Sequence, residues 1–203
     1  MTELNKKELF EKGYTTFNLY DINDVEIHNS LTELKQFSNA EFKNLRYKKV
    51  NANSNTFLKD SFENLESFKQ SLNKDGLYEI WYYNELDKER FKKPLLNKIY
   101  NFFYNDNIDL FYHSSCISMY NDDCFLIEHC DGFNPNSKYK CVILIYLNDE
   151  LEIKEGGELI LDKNVVVKPI IGTVAMMDFT KNDVSHGVKK VNGYQRKCYL
   201  NFC

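Results

Sequence analysis

The apolar positions change their spacing about halfway along the chain. In the first half they recur at intervals of three and four. Leu31, Leu34 and Phe37, continued by Phe42 and Leu45, follow Ser30-Leu31-Thr32-Glu33, which reads as a capping box at a helix start. Residues 61–72 repeat the pattern, with Phe62, Leu65, Phe68 and Leu72 on one face behind Asp60 or Ser61 as cap. A third helix is predicted to start near Pro94, which a first turn tolerates, and to carry Leu95, Ile99, Phe102 and Phe103. Segments 14–19 and 78–83 read as extended. The polar, Asn-rich stretch 46–58 reads as a loop.

After residue 108 the helical period disappears. Short runs rich in Val, Ile and Tyr predict strands at 110–120, 123–129, 139–147, 157–162, 164–168, 173–178, 184–191 and 196–202. Turn residues separate them: Asn121-Asp122-Asp123, Gly156-Gly157, Asp162-Lys163-Asn164, Pro169, Gly172 and Asn192-Gly193. Eight short strands at this spacing predict a sandwich or barrel, with the early helices covering an outer face. Asn192-Gly193 reads as a tight turn, so the strands around it are expected to form a hairpin that brings Arg196 alongside His186.

Composition narrows the class. Hydrophobic residues make up 43% of the 203, with 15 Phe and 14 Tyr, enough for a sizeable core. Charged residues are 28% and mixed in sign, and the net charge is -4. No dense basic run occurs beyond Lys48-Lys49, which argues against a nucleic-acid partner. No apolar run approaches the length of a membrane span, and no apolar stretch follows the early lysines as in a signal peptide, so a cytoplasmic location is expected. The six cysteines form no CxxC pair and read as reduced, mostly core thiols.

Four histidines are present: 28, 113, 129 and 186. In His129-Cys130-Asp131 an imidazole and a carboxylate stand two residues apart. On an extended backbone they point to one side, while Cys130 points to the other. With His186 from a later strand they make two histidines and one carboxylate, the facial triad of non-haem iron(II) oxygenases. A polar turn explains HxD alone equally well. Arg196 adds weight, because only three of the 26 basic residues are arginine. An arginine inside a sheet is costly without an anion, and its planar fork suits a carboxylate. A surface position in a hairpin is the competing explanation. His28 and His113 read as structural or exposed.

Several pieces in order resemble the 2-oxoglutarate/iron(II)-dependent dioxygenase superfamily, in its prolyl-4-hydroxylase-like branch. They are SMY at 118–120, HCD at 129–131, YLND at 146–149, GGEL at 156–159, GTVAMMDF at 172–179 and SHGVKKVNGYQRKCYLNF at 185–202. The resemblance implies a mixed, mainly β fold: a double-stranded β-helix, or jelly roll, with N-terminal supporting helices. It implies one oxygenase domain over 1–203, with a helix-rich support region at 1–107 and a jelly-roll core at 108–203. It implies iron(II) held by His129, Asp131 and His186, with 2-oxoglutarate and dioxygen as co-substrates and ascorbate as a further candidate. Arg196 would pair with the distal carboxylate of 2-oxoglutarate, Tyr146 would offer its hydroxyl to the same group, and Tyr120 would line that pocket. Val188 would pack beside the co-substrate, Phe202 would be core, and Gly156-Gly157-Glu158 would be a structural turn.

Departures from the family pattern refine the expectation. Asp131 is retained where halogenating relatives have a small residue, which points to hydroxylation. Only Lys197 is basic after Arg196, whereas the nucleic-acid demethylases usually carry a second arginine. Only 55 residues separate Asp131 from His186, and little chain follows Phe202, so a substrate cover is expected from the first half or from 132–138. The implied reaction hydroxylates an unactivated C–H of an amino acid, free or within a peptide, giving succinate and carbon dioxide. The partner would be a small-molecule or peptide substrate, with no nucleic acid and no membrane; oligomeric state is left open. The alternatives are a catalytically silent jelly-roll binding module and a cupin-type metalloenzyme.

Overall fold

A computed structural model of the chain describes residues 1–39, 46–51, 57–58, 78–85, 91–106, 114–122, 124–130, 139–180 and 182–203. Helix α1, Glu3–Lys12, opens on a capping box between Thr2 and Asn5 and stops at Gly13, whose φ of 83° is left-handed. Strand β1, Tyr14–Asn18, follows at once. Helix α2 is Val25–Asn39, longer at its start than the spacing predicts. Ser30–Glu33 is not its cap. Asp24 is, with Oδ1 accepting from the N–H groups of Glu26 at 2.9 Å and Ile27 at 3.2 Å. The apolar stripe decides this, because it begins at Ile27 and continues through the buried Leu31 and Leu34. The helix expected over 61–72 lies outside the described residues, as do Phe42 and Leu45.

The stretch 46–58 is not simply a loop. It holds β2, Arg46–Asn51, and β3, Phe57–Leu58. Strand β4, Tyr78–Glu85, pairs with β5 along one edge, and β2 bonds to its other edge from Arg46↔Tyr83 to Asn51↔Tyr78. Polar composition misled here because main-chain pairing at a sheet margin needs no apolar side chains. A π-turn over Lys92–Leu96, with Pro94 inside it, leads into α3, Asn97–Tyr104, as the Pro94 position predicted.

All eight strands expected in the second half are present, several of them shorter than expected, and residues 110–113 and 123 lie outside the described residues. The strands are β5 Ser114–Tyr120, β6 Leu126–His129, β7 Cys141–Tyr146, β8 Leu159–Leu161, β9 Val165–Val167, β10 Thr173–Asp178, β11 His186–Val188 and β12 Arg196–Phe202. They divide between two antiparallel sheets. The larger runs β1-β10-β7-β12-β5-β4-β2-β3, and the smaller β6-β11-β8-β9. The architecture is the predicted mainly β jelly roll with N-terminal helices. One detail differs. Strands β11 and β12 lie in different sheets, so Asn192-Gly193 is not a hairpin turn. It carries the chain from the small sheet to the large one, with the Asn192 N–H bonded to the Glu155 carbonyl and the Gly193 N–H to Asp122.

Every residue of β7 is buried, so both faces of the large sheet are covered. The helices cover one of them. Phe91 packs on Tyr199, Phe17 on Phe103, and the Tyr104 hydroxyl donates to the buried Asp178 at 2.7 Å. Lys35 of α2 pairs with Asp149 just beyond β7, and Lys98 of α3 pairs with Asp24 at 2.6 Å, which ties the helices to the roll and to each other. Among the described residues no helix is long and apolar enough to cross a membrane.

Candidate active site

His129 ends β6 and His186 begins β11, and the two are direct partners in the ladder. Their ring centroids lie 4.4 Å apart with the planes at 49°. His186 is 7% exposed, and its Nδ1 stands 3.1 Å from the Val184 carbonyl. A carbonyl only accepts, so Nδ1 carries the proton and Nε2 keeps its lone pair. Metal-binding histidines are commonly held in this way, by a backbone acceptor that fixes ring and tautomer. Cys130 is exposed. Asp131 lies outside the described residues, and among those residues no three His, Cys, Asp or Glu side chains gather to hold a metal.

Gly187 explains how the two strands come so close at this point. A Cβ there would lie 3.0 Å from Glu128 Cα, Glu128 N and the Leu126 carbonyl. The register also shifts between His186 and Val188. Gly187→Ala is therefore expected to force β6 away from β11 and weaken metal binding by about tenfold or more, as lost support around a ligand does. Cobalt(II) titration of the variant checks this, and unchanged affinity would count against the assignment. The sequence did hold a signal, since a glycine inside a strand often marks a close backbone approach.

Arg196 begins β12, opposite Tyr120 of β5, and is only 2% exposed. It is not the surface arginine that a hairpin would allow. Its Nε donates to the Gly157 carbonyl at 2.9 Å and its Nη2 donates to the Tyr146 hydroxyl at 3.1 Å. The guanidinium carbon lies 4.9 Å from the ring centroids of both Tyr120 and Tyr146. Among the described residues no acidic side chain pairs with it. Gly157 leads into β8, the ladder neighbour of the strand carrying His186. Arg196 thus reaches from the large sheet to the small one.

Burial and neighbouring charge both act on these groups. Burial pushes the Tyr146 hydroxyl up, with Arg196 opposing, so it stays protonated at neutral pH. Its oxygen can then accept from Arg196 while its proton remains available to another acceptor. For Arg196, burial works against the charge, but Tyr146, Cys198 and Tyr120 outweigh it and the net shift is upward. The Cys198 thiol is pushed up to about 11 by burial and is inert at neutral pH.

Gly156 and Gly157 do more than turn the chain. Both have left-handed φ values, 74° and 76°. A Cβ on Gly156 would lie 1.7 Å from the Lys190 carbonyl oxygen, and one on Gly157 would lie 2.1 Å from the Tyr194 hydroxyl oxygen. That hydroxyl donates to the Gly156 carbonyl at 2.7 Å. Sequence reasoning missed the Gly157 carbonyl as an arginine partner, because a main-chain acceptor leaves no residue-type signal. Val188 is buried in β11. Phe202 is half-buried against Tyr139 and Phe179. His28 lies within α2, its ring bonded to the Leu19 carbonyl, and His113 is outside the described residues.

Residues 115–202 match the family model described as the 2OG-Fe(II) oxygenase superfamily. No curated protein matches the chain. Among solved structures it is similar to a 2OG-Fe(II) oxygenase family oxidoreductase from Burkholderia pseudomallei, with TM-score 0.61 and 14% identity over 98% of this chain and 89% of that one. It is also similar to a prolyl-4-hydroxylase from Pseudomonas putida, with TM-score 0.54 and 13% identity over 100% and 97%. A third is a prolyl hydroxylase from Trichoplax adhaerens in complex with a peptide fragment of the hypoxia inducible factor oxygen degradation domain, with TM-score 0.54 and 13% identity over 98% and 87%. At such identities the likeness is one of fold, and the family match is what adds chemistry. On the match over residues 115–202 the chain is a 2-oxoglutarate-dependent dioxygenase that uses iron(II) and dioxygen.

Proposed function

We propose that this dioxygenase hydroxylates an unactivated C–H of an amino acid, free or within a peptide, with His129, Asp131 and His186 holding the iron and Arg196 holding the far carboxylate of 2-oxoglutarate. The observation that carries the reading is Arg196, a buried cation whose partners among the described residues are all neutral. Such a group is expensive unless an anion completes it. Of the five N–H donors of a guanidinium, one on Nε and one on Nη2 are committed within the protein. Among the described residues the others have no acceptor and suit a carboxylate, and the protonated Tyr146 hydroxyl can join them. Tyr120 stacks beside the guanidinium and lines that end of the pocket.

The paired imidazoles fit a metal. His186 presents Nε2 as its ligating atom, and Asp131, two residues beyond His129, supplies the carboxylate that makes the donor set suit iron(II). When bound, iron(II), 2-oxoglutarate and dioxygen would supply the oxidising chemistry, one oxygen atom going to the substrate and the other to succinate as carbon dioxide is released. The residues of the chain orient them and shield them from water.

An amino-acid or peptide substrate is supported by the fold neighbours, two of which are prolyl hydroxylases, one with a peptide bound. The net charge of -4 and the lack of a second arginine after Arg196 count against a nucleic-acid substrate. We read all 203 residues as one oxygenase domain, because β1 and β2–β4 extend the same sheet as the core strands. The test is succinate formation with iron(II) over a panel of free amino acids and proline-containing peptides. A stimulated turnover matched by gain of one oxygen atom in the amino acid or peptide is expected. No stimulation by any panel member, with 2-oxoglutarate still binding, would assign the substrate to another class.

A further inference from the structure

The side chain of Asn148 occupies an unusual position. Strand β7 stays paired with β12 as far as Tyr146↔Cys198, and the Leu147 N–H still reaches the Lys197 carbonyl. The main chain then turns toward Ile170, with which Asn148 forms a parallel bridge. Its side chain stays behind. The Asn148 Nδ2 donates to the Gln195 carbonyl at 2.7 Å and Oδ1 accepts from the Lys197 N–H at 2.7 Å. A longer contact runs from Nδ2 to Glu152 Oε2 at 3.4 Å. Asn148 is only 1% exposed, so its amide is committed to these partners rather than to water.

The two bonded residues flank Arg196. An amide has a donor and an acceptor in one plane, as a peptide group does, and here it replaces the missing strand on both sides of the arginine. Arg196 is the single residue between the anchors, so they fix its backbone and thereby the direction in which its side chain leaves β12. The far end of that side chain is fixed separately, by the Gly157 carbonyl and Tyr146. We infer that Asn148 is a positioning residue for the co-substrate's distal carboxylate, acting through the backbone of Arg196. The inference rests on the reading of Arg196 given above.

The test separates aim from stability by changing the ligand. The full chain, with manganese(II) in place of iron, is titrated calorimetrically with 2-oxoglutarate and with 2-oxobutyrate, which lacks the distal carboxylate. Asn148→Ala is expected to weaken 2-oxoglutarate by about tenfold or more and 2-oxobutyrate by less than about twofold, in line with the effect of removing support behind a binding group. Asn148→Asp keeps the shape and the acceptor for Lys197 but opposes an oxygen to the Gln195 carbonyl. It should show the same selective loss, with circular dichroism confirming the fold should the alanine variant not fold. Equal weakening of both ligands, or no weakening in a folded variant, would overturn the inference. Arg196→Ala is measured beside them. If it loses 2-oxoglutarate selectively while neither Asn148 variant does, the role of Asn148 alone is wrong. If it binds both ligands as before, the reading of Arg196 fails and this one falls with it.

Discussion

Replacing His186 with alanine is expected to abolish succinate formation, lowering it by more than the roughly hundredfold that loss of a mere supporting contact produces. The proposed site has three protein ligands, and two of them stand opposite each other on neighbouring strands. Without the His186 ring, the iron keeps only His129 and Asp131. A pair of ligands neither fixes the geometry nor competes well with solvent for the metal. The main-chain ladder of β11 to β6 and β8 needs no imidazole, so the fold should survive. His129→Ala and Asp131→Ala are expected to behave alike. Two measurements check the prediction: succinate yield, and the anaerobic charge-transfer absorbance of the iron–2-oxoglutarate complex. Unchanged succinate in any of the three variants would sink the ligand assignment.

Arg196→Ala is expected to raise the KM for 2-oxoglutarate by at least about 30-fold, corresponding to the roughly 2–5 kcal/mol lost when one partner of a buried, hydrogen-bonded charge pair is removed. Arg196→Lys should recover only part of this. It keeps the charge but cannot donate to Gly157 and Tyr146 while also presenting a fork to a carboxylate. The pH dependence follows from the shift directions. Tyr146 is raised by burial, and the net shift of Arg196 is also upward. A raised group keeps its proton until the pH passes its folded value, so between about pH 6 and 9 neither changes state. The contribution of this end of the pocket to KM should be flat across that window in the wild-type enzyme. A steep change there in the difference between wild type and Arg196→Ala would contradict it.

The parts of this molecule that were legible in the sequence are those fixed by local pattern. Runs of Val, Ile and Tyr broken by Asn, Asp and Gly marked every strand from β5 to β12. The HxD motif pointed to the end of β6, where His129 stands opposite His186 of β11. Sheet membership was not legible, because strand partners are chosen over long sequence separations. Asn192-Gly193 has the residues of a hairpin turn, and nothing nearby says that β12 will pair with β5 and β7 instead. The start of α2 was misplaced because Asp24 and Ser30 are both competent caps, and burial of Ile27 chose between them. The surroundings of Arg196 were half legible. Tyr146 and Tyr120 came from family resemblance, whereas the Gly157 carbonyl and the amide of Asn148 act through main-chain atoms that no residue type announces.

The crossing between the sheets has a consequence for how the chain can vary. A surface connection ordinarily gains or loses residues at little cost. Residues 189–195 are tied along their length: Asn192 to Glu155, Gly193 to Asp122, Tyr194 to Gly156, and Gln195 to both Asn121 and Asn148. Side chains in β12 alternate between its two faces, so a shift of one residue turns each to the opposite side. Deleting one residue here would offer the buried position of Arg196 to Lys197, and inserting one would offer it to Gln195, either way with the fold's hydrogen bonds mostly intact. Within this stretch, a change of length would cost the site the same side chain that substituting Arg196 would.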